Sequence, residues 1–276
     1  MKTSKTGKYQ IALLLLPGIL IFGLFTVYPI VKLFVMSFFK WDFGSISGQI
    51  FIGLENYREV LSDEYFRTSF ANTLIYTLVT VPGQMIIGFL VAYLINQICK
   101  FQVGYRVLYY LPVITSWVIA SLVFKYVFNT EGLLNYFLVN IVHVTSQNIH
   151  WLDTRWGGLT IAMFLGIWKG IGWNMVVFLA ALQTVSTDLY EAAEIDGATA
   201  WDKLLHVTLP GIKGTTLFAL VMLTIGGFNV FTSVKMITGG EPGHQTDVVL
   251  TWMYYKAFST GSFGYSAALS FIITLV

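Results

Sequence analysis

The residues best placed for specific polar chemistry form a short acidic stretch, residues 190–198, between two strongly apolar runs. On a helix, Ala192 and Ala193 would share one side, and Glu191 and Glu194 would lie on another. A small alanine face can approach another surface closely while the carboxylates stay free for a partner's cations. An ordinary solvated loop helix would explain the same spacing, so both interpretations stay open.

The surrounding residues predict two short helices joined at Gly197. Asp188, with a glutamate three residues later, has capping-box spacing for the start of the first helix. Gly197 suits the left-handed backbone position just past a helix end. Thr199 repeats the capping pattern with an aspartate three residues later, and Pro210 is predicted to close the second helix.

The order Glu-Ala-Ala, Asp-Gly-Ala and Leu-Pro resembles the cytoplasmic EAA loop of importer-type ABC transporter permeases. In that family the loop forms a coupling helix that docks on the cytoplasmic ATPase. The chain departs from the family pattern at Leu204 or Leu205, where an aromatic is usual, and at Gly214, where proline is frequent. These departures concern only the second helix. The resemblance implies these ATPase-coupling residues: Glu191, Ala192, Ala193, Asp196, Gly197, Leu209 and Pro210.

The composition indicates a membrane protein. Of the 276 residues 56% are apolar and only 11% are charged, whereas a soluble domain carries about a quarter charged residues. The net charge of +2, without a basic run, predicts no nucleic-acid partner. The single cysteine, Cys99, excludes an internal disulfide, and the four histidines lack ligand spacing, so we predict no metal site.

The apolar runs predict an all-α polytopic membrane protein with six transmembrane helices in one permease domain, residues 1–276. The predicted spans are approximately 11–39, 69–98, 107–127, 159–182, 214–237 and 265–276, with a cytoplasmic coupling loop at 183–213. The last run would rise only ~18 Å against a ~30 Å hydrocarbon core. Because the resemblance implies a complete sixth span, we expect the last helix to be truncated.

Lysine and arginine placement predicts a cytoplasmic amino terminus. Lys2, Lys5 and Lys8 precede the first apolar run, and a short basic turn at 100–106 follows the second. With this orientation the acidic stretch follows four spans and is cytoplasmic. This topology depends only on charge placement and on the number of spans, and it agrees with the resemblance.

The fourth predicted span carries a lysine within a glycine-rich run, residues 166–174. Lys169 would be costly facing lipid, so it should face protein or a watery cavity. One interpretation is a wall of the substrate path, with Trp168 or Trp173 stacking on a sugar ring and Asn174 beside them. The alternative is a packing interface with a second subunit, where Lys169 pairs with an acid or a carbonyl.

Asn229 interrupts the fifth predicted span, where a buried amide needs a partner. Phe228-Asn229 resembles the pair that, in the maltose-transporter branch of the family, places an asparagine in the sugar site. That resemblance implies that both residues belong to the substrate path. A hydrogen bond between helices is the alternative for Asn229.

The resemblance implies a permease subunit of an ATP-driven importer for a sugar or oligosaccharide, in the plasma or inner membrane of a prokaryote. It implies these partners: a second homologous permease, an ABC ATPase dimer, an extracytoplasmic solute-binding protein and the lipid bilayer. The chain has no Gly-x-x-x-x-Gly-Lys-Ser/Thr run, so we predict no catalytic residue or cofactor here, and ATP with Mg²⁺ on the ATPase. A secondary carrier or an intramembrane enzyme is the alternative. The identity of the sugar and of the partner permease stays open.

Overall fold

A computed structural model describes residues 5–42, 49–97 and 101–275. Lys2, Lys100 and Cys99, on which parts of the sequence analysis depend, lie outside the described residues. The chain forms two compact units, Met1–Phe66 with Met253–Val276, and Arg67–Trp252. Helices dominate both units, which confirms the all-α class.

The first unit begins with a long apolar helical segment. It consists of α1 (Lys5–Phe22), a π-helical turn (Gly23–Val27) and α2 (Tyr28–Met36). Pro17 lies inside α1, and the second proline of the segment lies at the second position of α2, directly after the π-helical turn. No side chain of Leu13–Met36 is buried, and these 24 residues are long enough to cross a membrane.

Two short strands and two helices complete the first unit. They are the antiparallel strands β1 (Phe39–Lys40) and β2 (Ile50–Phe51), then α3 (Glu55–Ser62) and α15 (Phe263–Leu275). The buried Asn56 amide donates to the carbonyls of Ser37 and Phe39, and the Tyr265 hydroxyl donates to Asp63 Oδ2 at 2.6 Å. These bonds hold α15 and the strands to α3.

The second unit contains the long helices. In chain order they are α4 (Glu64–Gln97, which begins in the first unit), α5 (Gln102–Ile114), α6 (Trp117–Val127), α7 (Leu133–Tyr136), a π-helical turn (Phe137–Ile141) and α8 (Arg155–Leu182). Then come α9 (Thr187–Ile195), α10 (Ala200–Lys203), a π-helical turn (Leu204–Thr208), α11 (Leu209–Gly211), α12 (Lys213–Phe228), α13 (Thr232–Ile237) and α14 (Val249–Phe258, which ends in the first unit).

Helix α8 organises the core of the second unit because its small residues let two helices approach closely. A Cβ added to Gly172 would lie 2.2 Å from the Tyr109 carbonyl oxygen of α5. A Cβ added to Gly88 of α4 would lie 2.4 Å from Asn174 Cβ of α8. Small residues at helix contacts are typical of membrane helix packing, so these glycines set the distances from α8 to its neighbours.

The described residues contain four helices long and apolar enough to span a membrane, or five if the bent α5–α6 pair is one span. The sequence analysis predicted one span at 107–127, but α5 and α6 are separate helices bent by 89°. Between them, Thr115 has an extended backbone and Ser116 a non-helical one, which the period of apolar residues in the sequence does not reveal. The six-span count and the cytoplasmic amino terminus stay predictions.

The segment between α13 and α14 is fastened to α4 and α8 by a buried polar cluster. The Asn72 amide of α4 donates to the carbonyls of Gln245 and Asp247 at 2.8 and 2.7 Å. Arg155 of α8 in turn donates to Asn72 Oδ1 at 2.8 Å. Buried polar groups are stable only when paired, so this network holds the segment in one conformation.

The carboxylate of Asp247 is the buried acid of this cluster. Thr251 donates to its Oδ1 at 2.6 Å, and His244 Nδ1 lies 2.7 Å from its Oδ2. Burial raises the pKa of the Asp247 carboxyl above its usual 3.8, against the opposing effects of Thr251, His244 and the more distant Lys235. The carboxyl therefore has a higher pKa in the folded protein than in the unfolded chain. Its contribution to the free energy of unfolding is complete below pH 3.8 and is lost as the pH rises through the folded-state pKa.

We therefore expect D247N to change the pH dependence of unfolding. Because asparagine carries no charge, the melting temperature of the wild type should fall relative to that of D247N as the pH rises above the usual aspartate pKa of about 3.9. Thermal unfolding of the purified protein in detergent measures this. D153N is the matched control, since Asp153 makes the same 2.7 Å contact with His150 but is solvent-exposed. A difference in melting temperature between D247N and the wild type that does not change with pH would contradict this expectation.

Candidate functional site

The acidic stretch forms the helix α9, but its cap differs from the predicted one. The N-cap is Ser186, whose hydroxyl accepts from the Asp188 N–H at 3.3 Å. The predicted capping role of Asp188 is therefore wrong. Asp188 instead lies in the first turn, where its negative charge is favourable near the helix N-terminus. Ser and Asp are both good caps, so the residue types alone did not distinguish them.

Gly197 ends α9 as the sequence predicted. Its φ of +78° is in the left-handed region, and the Ala198 N–H donates to the Ala193 carbonyl at 2.9 Å. This is the hydrogen bond of a Schellman-type helix end. The turn reverses the chain directly into α10.

The second helix begins with the predicted capping box. The Thr199 hydroxyl accepts from the Asp202 N–H, and the Asp202 carboxylate accepts from the Thr199 N–H at 2.9 Å. Lys203 Nζ then lies 2.7 Å from Glu194 Oε1, which joins α10 to α9. The hydrogen bond and charge of Lys203 lower the pKa of the Glu194 carboxyl. The two helices therefore form one stapled element.

Pro210 does not close the second helix, contrary to the prediction. The chain stays helical through the π-turn Leu204–Thr208 and α11, and breaks only at Ile212. In the π-turn the Leu209 N–H donates to the Leu204 carbonyl. Pro210 follows at the start of α11, where a proline without an N–H is tolerated. Leu209-Pro210 therefore leads almost directly into α12.

The stapled element exposes apolar side chains beside its acids. Glu191 and Ala192 are exposed and Ala193 is half-buried. Ile195 is 87% exposed and Trp201 is 65% exposed. Sequence analysis did not select Ile195 or Trp201, although large apolar residues in a polar loop were a usable signal. An exposed apolar patch with a polar rim is typical of a protein-binding surface.

A cavity of ≈ 410 Å³ lies among the helices of the second unit. Its wall combines aromatic rings with uncharged hydrogen-bonding groups and one lysine. The aromatic residues are Tyr76, Trp117, Trp173 and Phe231. The polar residues are Thr80, Gln84, Lys169, Asn229, Thr232 and Ser233. Flat rings and amide or hydroxyl groups are the surfaces that small-molecule sites use for packing and orientation.

The structure brings three of the predicted path residues to this cavity, namely Lys169, Trp173 and Asn229. Trp168 lines a separate groove against α5, and Asn174 is buried with its amide donating to the Gly170 carbonyl. Phe228 is not among the residues that line the cavity.

Lys169 and Asn229 also make hydrogen bonds within this chain. Lys169 Nζ donates to the carbonyls of Pro112 and Thr115, both at 2.6 Å. The Asn229 amide donates to the Ile225 carbonyl of its own helix at 2.8 Å. Lys169 thus pairs with one carbonyl of α5 and with that of the residue after it, and among the described residues the Asn229 amide bonds within its own helix.

Residues 65–276 match the family model described as "Binding-protein-dependent transport system inner membrane component". The chain belongs to this family. It is 33% identical over 266 residues to the arabinooligosaccharides transport system permease protein AraP of Halalkalibacterium halodurans, covering 95% of this chain and 82% of that protein. It is 31% identical over 265 residues to the lactose transport system permease protein LacF of Rhizobium radiobacter, covering 94% and 87%.

A solved structure has the same fold. A chain of a bacterial alginate ABC transporter, in complex with an alginate pentasaccharide-bound periplasmic protein, superimposes with a TM-score of 0.82 at 24% identity, covering 97% of this chain and 89% of that one. The predicted family is confirmed, and the protein is an ABC transporter permease of the multi-pass membrane type. Its relatives are transport subunits rather than enzymes.

Proposed function

We propose that this permease is a membrane subunit of an ATP-driven importer for a sugar or oligosaccharide. The observation that carries the proposal is the ≈ 410 Å³ cavity lined by aromatic rings, amides and hydroxyls among apolar helices. Sugar rings present both C–H faces and hydroxyls, so such a wall offers both kinds of contact. The names of the relatives AraP and LacF support the same substrate class.

The stapled α9–α10 element is the proposed coupling surface for a cytoplasmic ATPase. Glu191 supplies a charge, Ala192 and Ala193 permit close approach, and Asp196 with Gly197 shapes the helix end. Leu209-Pro210 passes a movement of this element into α12, which carries the cavity residue Asn229 at its end. Closure of the ATPases would then bias the spans between inward-open and outward-open packings.

This function assigns the remaining partners to other chains. A second homologous permease completes the membrane pathway, an ABC ATPase dimer holds ATP and Mg²⁺, and an extracytoplasmic binding protein delivers the sugar. The complex lies in the plasma or inner membrane of a prokaryote, with six spans and the amino terminus in the cytoplasm. A secondary carrier or intramembrane enzyme is not favoured, because the family is defined by dependence on a binding protein.

Gentle detergent purification of this chain from its native membranes, followed by mass spectrometry, tests the proposal. An ABC ATPase and a second permease should co-purify, and a co-purified binding protein can be screened against neutral and acidic oligosaccharides. A homo-oligomer without an ATPase, even after crosslinking, would contradict the importer.

A further inference from the structure

The break between α5 and α6 exposes backbone groups inside the membrane-spanning unit. Helix α5 ends at Ile114, the next two residues are non-helical, and α6 begins at Trp117 with an 89° change in direction. The last four carbonyls of a helix have no partner within it. Lipid offers none either, so a break at membrane depth requires partners from the protein.

Side chains donate to two of these carbonyls and to the carbonyl of Thr115 just beyond the helix. The Thr115 hydroxyl donates to the Leu111 carbonyl at 3.1 Å. Lys169 of α8 donates to the carbonyls of Pro112 and Thr115, at 2.6 Å each. The Ser116 carbonyl accepts from the first turn of α6. One lysine therefore joins the end of α5 to the extended residue that follows it.

The position of Lys169 suits this role in two further ways. It is 4% exposed, and it lies one turn before Gly172, whose missing Cβ lets α5 approach α8. Its ammonium group also lies at the C-terminal end of α5, where the helix dipole favours a cation. On the other side, the ammonium is 4.9 Å from the centroid of the Trp117 ring, within the range of a cation–π contact.

We propose that Lys169 is a positioning residue that caps α5, stabilises the bend, and holds Trp117 in the cavity wall. Two carbonyls and an aromatic face surround its ammonium group, so the group is committed to the protein rather than to an anionic ligand. The sugar-uptake arm of the test rests on the proposed function, whereas the distance arm does not.

The test measures the α5–α6 bend in the complete transporter in nanodiscs. Spin labels replace the exposed residues Val103 and Tyr126 in a chain whose single cysteine, Cys99, is changed to serine. A continuous helix would place these positions ~35 Å apart, and an 89° bend brings them closer. The variants are K169M, K169R and the control K125M, which makes the same substitution at an exposed lysine of α6.

In K169M we expect the label distance to lengthen and broaden toward ~35 Å. Uptake of neutral and acidic oligosaccharides should fall equally, by about tenfold or more, comparable to loss of a charged hydrogen bond. K169R and K125M should keep the wild-type distance, because arginine preserves the charge and the donors. If K169M does not assemble, K169Q replaces it with the same expected direction.

An unchanged distance in K169M or K169Q would overturn the proposal. Selective loss of acidic oligosaccharide uptake with an unchanged bend would assign Lys169 to the ligand instead. Absence of sugar uptake in the wild type would contradict the proposed function. The expected distance change in K169M would still support the role of Lys169 at the end of α5.

Discussion

Replacing Gly197 with valine is expected to abolish coupled uptake while the transporter still assembles. The glycine has a φ of +78°, which a β-branched residue resists. Apart from its chain neighbours, no heavy atom of the described residues lies within 4 Å of an added Cβ, so the effect comes from the backbone and not from a clash. An L-residue in the left-handed conformation costs about 1–2 kcal/mol. The chain can avoid this cost by changing the end of α9, which redirects the exposed Ile195 and the acids beside it.

The measurement compares uptake with ATPase activity in proteoliposomes that contain the binding protein. G197V should lose uptake and the stimulation of ATPase activity by substrate, while its assembly with the partner subunits is retained. G197N is the matched control, because asparagine tolerates the left-handed region better than other side chains. Coupled uptake of wild-type efficiency in G197V would contradict the proposed role of this helix end in coupling.

Local rules predicted those parts of the stapled α9–α10 element that depend on a few neighbouring residues. The Thr199–Asp202 capping box and the left-handed Gly197 both follow from residue type and spacing, and both are present. The wrong assignments were also local. Ser186 and Asp188 are both competent caps, so the choice between them depended on where the preceding span ended.

Pro210 shows a second limit of the local rules. A proline ends a helix when its ring meets the carbonyl four residues earlier. In this chain the π-turn before Pro210 widens the helix, and the helical path continues to Gly211. A π-turn leaves little trace in the period of apolar residues, so the sequence predicted a stop where the structure has none.

The cavity could be predicted only in part. Lys169 and Asn229 stand out because polar groups are rare within apolar runs. Tyr76, Gln84 and Trp117 also line the cavity, but each has an ordinary place in its own run. Their proximity depends on the α5–α6 break and on how closely the neighbouring helices pack against the glycines of α8. Both are features of the tertiary structure.

N229L tests whether the cavity binds the sugar. Asn229 lines the cavity, and its amide bonds only the Ile225 carbonyl among the hydrogen bonds described. The Asn229 N–H also donates to that carbonyl, at 3.1 Å, so leucine leaves the helix end with its backbone bond. Loss of a hydrogen bond to a sugar hydroxyl costs about 1–3 kcal/mol. We therefore expect kcat/KM for uptake to fall by roughly ten- to a hundredfold without loss of assembly.

T224V is the matched control for N229L. The Thr224 hydroxyl donates to the Leu220 carbonyl, the same four-residue bond on the same helix, but Thr224 is not among the residues that line the cavity. If Asn229 contacts the sugar, N229L should lower kcat/KM much more than T224V, and the loss should differ between sugars with different hydroxyl arrangements. Equal, sugar-independent losses in the two variants would mean that Asn229 only supports the end of α12. The substrate would then have to be recognised by the aromatic residues and the remaining polar groups of the cavity.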